Sequence, residues 1–216
     1  MTSKLWIIGC SIAHGVGVNT NEKWSTIVAD KFNFPVVNLT APGSSVEWAA
    51  DQILRADLAS NDIVCWGLTT PNRSLWYDDT GNPHHLLNVY YQNNPNFKNL
   101  VNPHHLVQLN LAYKAINYVK QVQNFLNKVG CRYAIGYTLP GLIEHEDILL
   151  SNLADTKNFV VMYKKSFNRE KTDVLKFLSR TVPPTQMFVD IGNDGFHPGP
   201  QQHQLYADQF LEVLVK

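Results

Sequence analysis

Short apolar runs alternate with longer helical patterns along this chain, and that alternation leaves few architectures open. Lys4 to Gly9, Val36 to Leu39, Ile63 to Gly67, Tyr133 to Tyr137 and Met187 to Asp190 read as strands. Helical patterns lie between them near 22–33, 46–59 and 106–129. One or two more fall between 142 and 180, and a last near 200–215. The stretch 106–129 is the clearest. Leu106, Leu109, Ala112, Tyr113, Ile116, Val119, Val122, Phe125 and Val129 recur at three- and four-residue spacing until Gly130 stops the helix. Strand–helix alternation implies a parallel sheet covered by helices on both faces. The expected fold is therefore α/β: a single domain over 1–216, built as a three-layer αβα sandwich on a parallel sheet of about five strands.

One segment breaks the pattern. Residues 72–105 carry eight asparagines, three prolines and four histidines with little periodicity. A loop of that length inside a compact domain reads as an inserted lid or binding loop. It contains an echo, Pro83-His84-His85-Leu86 and Pro103-His104-His105-Leu106, but two copies are too few for a structural repeat.

In a parallel sheet, functional residues gather at the carboxyl ends of the strands. Ser11, Gly43 and Thr69 each follow an expected strand directly or closely. Near the other end, Asp194-Gly195-Phe196-His197-Pro198 supplies an acid and a histidine three residues apart. If folding brings the two ends together, Ser11, His197 and Asp194 make a nucleophile, a base and an orienting carboxylate. Taken singly, a Gly-x-Ser turn is common, and an Asp-x-x-His pair is more often a local hydrogen bond or a cap.

Bulk properties narrow the rest. With 216 residues, 44% hydrophobic and 17% charged, the chain suits one sizeable core. A formal net charge of zero, without a run of Lys or Arg, argues against a nucleic-acid partner held by phosphate contacts. No apolar stretch approaches the roughly 20 residues needed for a membrane span, and no signal peptide is evident before Leu5. Cys10, Cys65 and Cys131 are far apart and odd in number, as expected of buried thiols in a reducing, cytoplasmic setting. The doubled histidines lack a carboxylate or cysteine at ligand spacing, so no metal is expected. No cofactor is implied either.

Four blocks in order carry a family resemblance. They are Gly9-Cys10-Ser11 with Gly15 and Gly17, Asn38-Leu39-Thr40-Ala41-Pro42-Gly43-Ser44-Ser45, Val64-Cys65-Trp66-Gly67-Leu68-Thr69-Thr70, and Asp194-Gly195-Phe196-His197-Pro198. The chain resembles an SGNH hydrolase of the GDSL type over nearly its full length, which implies a flavodoxin-like sheet. The resemblance implies an ester hydrolase working through an acyl-serine. Ser11, Asp194 and His197 would be catalytic, and the Ser11 and Gly43 amides would form part of an oxyanion hole. It also implies a small-molecule ester substrate, with O-acetylated carbohydrates, short acyl esters, thioesters and lysolipids within its range.

Two positions depart from the family pattern. Cys10 stands where the family has Asp, which makes Cys10 itself a rival nucleophile. Thr69 stands where the family has the Asn that donates to the oxyanion. A threonine hydroxyl can donate with shorter reach, and Asn72 could restore the amide if the loop folds back. Arg73, Trp76 and Tyr77 at the start of the insert are candidate substrate contacts, suited to a polar, stacking-rich cleft. His14 faces the pocket or caps the turn, and Asp190 and Asn193 shape the loop carrying the acid and the histidine. Two rivals stand against the esterase reading. One is a non-catalytic glycan- or protein-binding module on a degenerate hydrolase fold. The other is a nucleotide binder of flavodoxin topology, which the missing phosphate-loop Lys and spacing disfavour.

Overall fold

The computed structural model describes residues 3–71, 73–77, 80, 83–87, 104–138, 146–153, 158–162 and 188–216. The side chains of 74, 76–77, 83–87, 104–108 and 146–147 lie outside that description. Five parallel strands form the central sheet: β1 (Leu5–Gly9), β2 (Val36–Thr40), β3 (Ile63–Leu68), β6 (Arg132–Tyr137) and β7 (Phe159–Val161), in the order β2-β1-β3-β6-β7. Two further strands, β4 (Arg73–Tyr77) and β5 (Pro83–Leu87), pair antiparallel as a separate hairpin. The helices are α1 (Ser11–His14), α2 (Trp24–Phe32), α3 (Val46–Arg55), α4 (His104–Val129), α5 (Glu146–Leu153) and α6 (Pro200–Leu214).

Residues alternating along each strand point to opposite faces, and two separate cores result. Trp6, Ile8, Val64, Trp66, Tyr133 and Ile135 pack against α3, α4 and α5. Leu5, Ile7, Ile63, Cys65 and Ala134 pack against α1, α2 and α6, where Trp24 stacks on Phe210 with ring centroids 4.3 Å apart. Both faces are therefore apolar, which is why β1 and β3 read as unbroken hydrophobic runs. The three-layer α/β sandwich expected from the sequence is present. Its strand order reverses at β1, so the crevice between the ends of β1 and β3 is the topological switch point where such sheets bind ligands.

Four of the five expected sheet strands are found, and the fifth is not. Residues 188–190 are bends, Met187 lies outside the described residues, and Phe159–Val161 takes the fifth place beside β6. The physical reason is local. The Val189 amide donates to Gln202 Oε1 (2.9 Å), while the Asp190 carboxylate accepts from the Gln201 and Gln202 amides (2.9 and 2.8 Å) and so caps α6. Side chains satisfy this backbone, and no sheet ladder is needed.

The insert is likewise more ordered at its start than its composition suggests. The Leu75 amide donates to Glu47 Oε2 (2.6 Å), and the other Glu47 oxygen pairs with Lys114, which joins the hairpin to α3 and α4. The first Pro-His-His-Leu copy lies in β5, while His104, His105 and Leu106 of the second open α4, Pro103 lying outside the described residues.

Candidate active site

The turn carrying Ser11 is built by close approach. Gly9 has φ +147°, and a Cβ there would fall 2.6 Å from the Gly67 carbonyl oxygen and 2.7 Å from Ala13 Cβ. Only glycine fits, and α1 therefore begins immediately beyond the end of β1. Cys10 is the extended residue before the helix, and its thiol is wholly buried in the core beside Ile12, Trp24 and Tyr206. That orientation removes Cys10 from the surface where a nucleophile would act. Ser11 is the first residue of α1, and its carbonyl accepts from the Gly15 and Val16 amides (3.0 Å each).

The loop after β2 is tied to the same turn. The Gly9 carbonyl accepts from the Ala41 amide (3.0 Å) and from the Ser44 hydroxyl (3.1 Å), so residues 41–44 lie against the entry to α1. Gly43 has φ +83°, with nothing within 4 Å of a Cβ built there. Arg73 Nη1 donates to the Ser44 carbonyl (3.2 Å), which anchors the hairpin to this loop. Thr69 follows β3 directly and is buried; its hydroxyl has no hydrogen-bond partner among the described residues. Such a buried donor costs on the order of 1 to 3 kcal/mol when left unpaired. Asn72 lies outside the described residues. Trp76 and Tyr77 sit in β4 opposite His84 and Pro83.

The third wall is the loop from Ile191 to Pro198, closed by a bridge between those two residues. Asp194 Oδ2 and His197 Nδ1 are 2.5 Å apart, while Asp194 Oδ1 accepts from the Phe196 and His197 amides (3.1 and 3.0 Å). Gly195, at φ +73°, makes the tight turn between them possible. Partial burial pushes the Asp194 carboxyl up. The bonds from the His197 ring and from the two amides outweigh it and hold the group below the ordinary carboxylate range. A carboxylate only accepts, so the Asp194 contact places a ring N–H at Nδ1 of His197.

This loop docks on the segment that leaves α1. The Asn193 amide donates to the Gly17 carbonyl (2.7 Å), and a Cβ on Gly17 would meet Asp194 Oδ1 at 2.9 Å and His197 Cβ at 3.3 Å. Ser11, Gly43 and Thr69 thus follow the carboxyl ends of β1, β2 and β3, and the loop of Asp194 and His197 docks on the segment that leaves α1. Asn193 and Asp190 do shape the loop, by the bonds to Gly17 and to α6. Two participants were not singled out by their sequence positions. Glu47 looks like a first-turn helix residue, and its hold on Leu75 is invisible locally. Thr40 was read as part of a block, yet its hydroxyl lies 2.9 Å from His14 Nδ1.

No family model matches the chain, and no curated protein matches it in sequence. Solved structures do match, all at low identity. A member of the lipolytic G-D-S-L family from Veillonella parvula aligns over 99% of this chain and 99% of its own, at 15% identity and a TM-score of 0.52. TesA aligns over 98% of both chains at 12% identity and a TM-score of 0.54. A carbohydrate esterase family 2 enzyme with a carbohydrate-binding domain, from Corynascus thermopiles (Myceliophthora fergusii), aligns over 99% of this chain and 67% of its own. There the identity is 10% and the TM-score 0.53. The chain shares its fold with these structures, one of them a lipolytic G-D-S-L family member, as the four sequence blocks led one to expect.

Proposed function

We propose that this protein is a serine esterase that hydrolyses small acyl esters through an acyl-serine intermediate. The observation that carries the reading is the Asp194–His197 pair, docked by backbone bonds onto the segment that begins with Ser11. In the proposed reaction His197 Nε2 takes the Ser11 proton as Oγ attacks the acyl carbon. The carbonyl π pair moves onto oxygen, where the Ser11 and Gly43 amides and the Thr69 hydroxyl donate to it. Collapse expels the alcohol with the proton from His197, and water then repeats the sequence to release the acid.

The proposed substrates carry a short acyl group, with O-acetylated carbohydrate within the class. The polar composition of the insert supports this, as does the placing of Arg73, Trp76 and Tyr77 on a hairpin anchored beside Gly43. The three free, buried cysteines support a reducing compartment, hence a cytoplasmic setting. Among the described residues, no helix is long and apolar enough to cross a membrane.

A fluorophosphonate probe tests the reading directly, since labelling requires an activated serine. The expected result is labelling of the native protein and none of Ser11→Ala, with p-nitrophenyl acetate turnover lost in the same variant. An unlabelled native protein would instead favour the binding-module reading, which the unusual Thr69 already suggests.

A further inference from the structure

His14 takes no part in the reaction above, yet it lies three residues after Ser11 on α1 and its ring is held by Thr40. The hydrogen-bond donors and acceptors around it fix its chemical state. Asn38 Oδ1 accepts from the Thr40 amide (2.9 Å), an obligate donor, so the amide atom facing Thr40 is oxygen. The same oxygen lies 2.7 Å from Thr40 Oγ1 and takes that hydroxyl's only proton. Thr40 Oγ1 is left as an acceptor toward His14 Nδ1, 2.9 Å away, so Nδ1 carries hydrogen. In the neutral ring Nε2 is then a bare lone pair, and it has no protein partner among the described residues.

Position completes the case. Ser11 and His14 are one turn apart on α1, so their side chains share a face of that helix. Thr40 ends β2, just before the loop that leads to Gly43, and the His14 ring is bonded to it, while Asp194 and His197 pack on Gly17. The ring is half-buried rather than enclosed.

We infer that His14 is a specificity-determining residue of the Ser11 site: its Nε2 accepts a hydrogen bond from a free hydroxyl of the substrate's alcohol portion. The preferred substrates are then partly acylated polyols or sugars, in which an ester neighbours an unmodified hydroxyl, and not esters of simple alcohols. This rests on the esterase reading and adds to it a substrate class and the residue that selects it. A site built to pair with a hydroxyl discriminates strongly against an analogue that lacks one.

The test compares glycerol monoacetate with propyl acetate, which matches it in size and lacks the hydroxyls. The native enzyme should favour glycerol monoacetate in kcat/KM, and His14→Phe should lower that ratio about tenfold. Thr40→Val, which frees the ring from its tautomer, should lower it less. An unchanged ratio in His14→Phe overturns the inference, because a purely structural role would slow both esters alike. A second readout works without turnover. In Ser11→Ala protein, the ¹⁵N resonances of His14 should show hydrogen on Nδ1, and the Nε2 signal should move on titration with glycerol monoacetate but not with propyl acetate. A static Nε2 signal also overturns the inference. Failure of the esterase reading looks different, since the fluorophosphonate would then leave Ser11 unlabelled.

Discussion

The loop that carries His197 and the helix that carries His203 adjoin in sequence, and they show one residue type in two opposite settings. His197 is partly exposed and has a carboxylate on Nδ1. His203, six residues on in α6, is fully buried; Nδ1 accepts from the Trp24 amide (3.1 Å) and Nε2 has no hydrogen-bond partner among the described residues. Burial pushes the His203 pKa down to about 4, and the partial attraction of Asp190 is offset by repulsion from His197 and Lys23. The difference teaches that an imidazole near a cleft becomes a base through its partner and its access, not through its identity. His203 is a structural acceptor that latches α2 to α6, while the His197 ring is bonded to a carboxylate and partly exposed.

Removing the partner is the strongest way to break the contrast. Asp194→Asn leaves the loop's shape but takes away the charge that holds the proton on Nδ1, and kcat should fall by about ten-thousandfold. Steady-state kinetics on p-nitrophenyl acetate would read it, and a fall under about tenfold would count against the assigned role. Thr69→Val keeps the volume and deletes the unpaired hydroxyl. It should lower kcat by a few hundredfold if Thr69 donates to the oxyanion. If Thr69 has no such role, the same change should instead stabilise the protein, since it removes an unsatisfied buried group, and thermal denaturation would show it.

Gly17→Ala tests the docking of the two segments. The new Cβ would press on Asp194 and His197 from a left-handed backbone position. A shift of about 1 Å can cost up to about a hundredfold, so kcat should drop by tens of times with the fold intact by circular dichroism. The smallest effect concerns His203. Its folded-state pKa lies below the ordinary 6.5, so the unfolded chain binds the extra proton as pH falls from about 6.5 to about 4. The neutral ring's contribution is complete above that window and is lost across it, by on the order of 3 kcal/mol. His203→Asn, which keeps an acceptor for Trp24, should flatten the dependence of stability on pH between those limits. Denaturant unfolding at pH 7 and pH 5 would measure it.

Legibility in the sequence followed how local the cause was. The strands Leu5–Gly9 and Ile63–Leu68 were readable because burial on both faces demands an unbroken apolar run. The long helix declared itself by its period. The stretch around Val189 misled, because an apolar pair beside an acid looks like a strand end. Its backbone is in fact taken by Gln202 and by the cap at Asp190. At the site, Ser11, Gly43, Asp194 and His197 were legible through ordered short motifs. The clamp of Glu47 on the hairpin was not, because a carboxylate in a helix's first turn looks the same whether it faces water or Leu75.

By itself the sequence determined the layered α/β architecture and the tight turns that glycine makes possible. These depend on periodicity and on steric limits that act over a few neighbouring residues. Only the tertiary structure decided that the 191–198 loop rests on Gly17, that the Thr69 hydroxyl has no partner among the described residues, and that His14 is fixed by Thr40 and Asn38. Each of those facts is a meeting of segments far apart in the chain. Packing of the two cores against one sheet brings such segments together, and no local pattern encodes it.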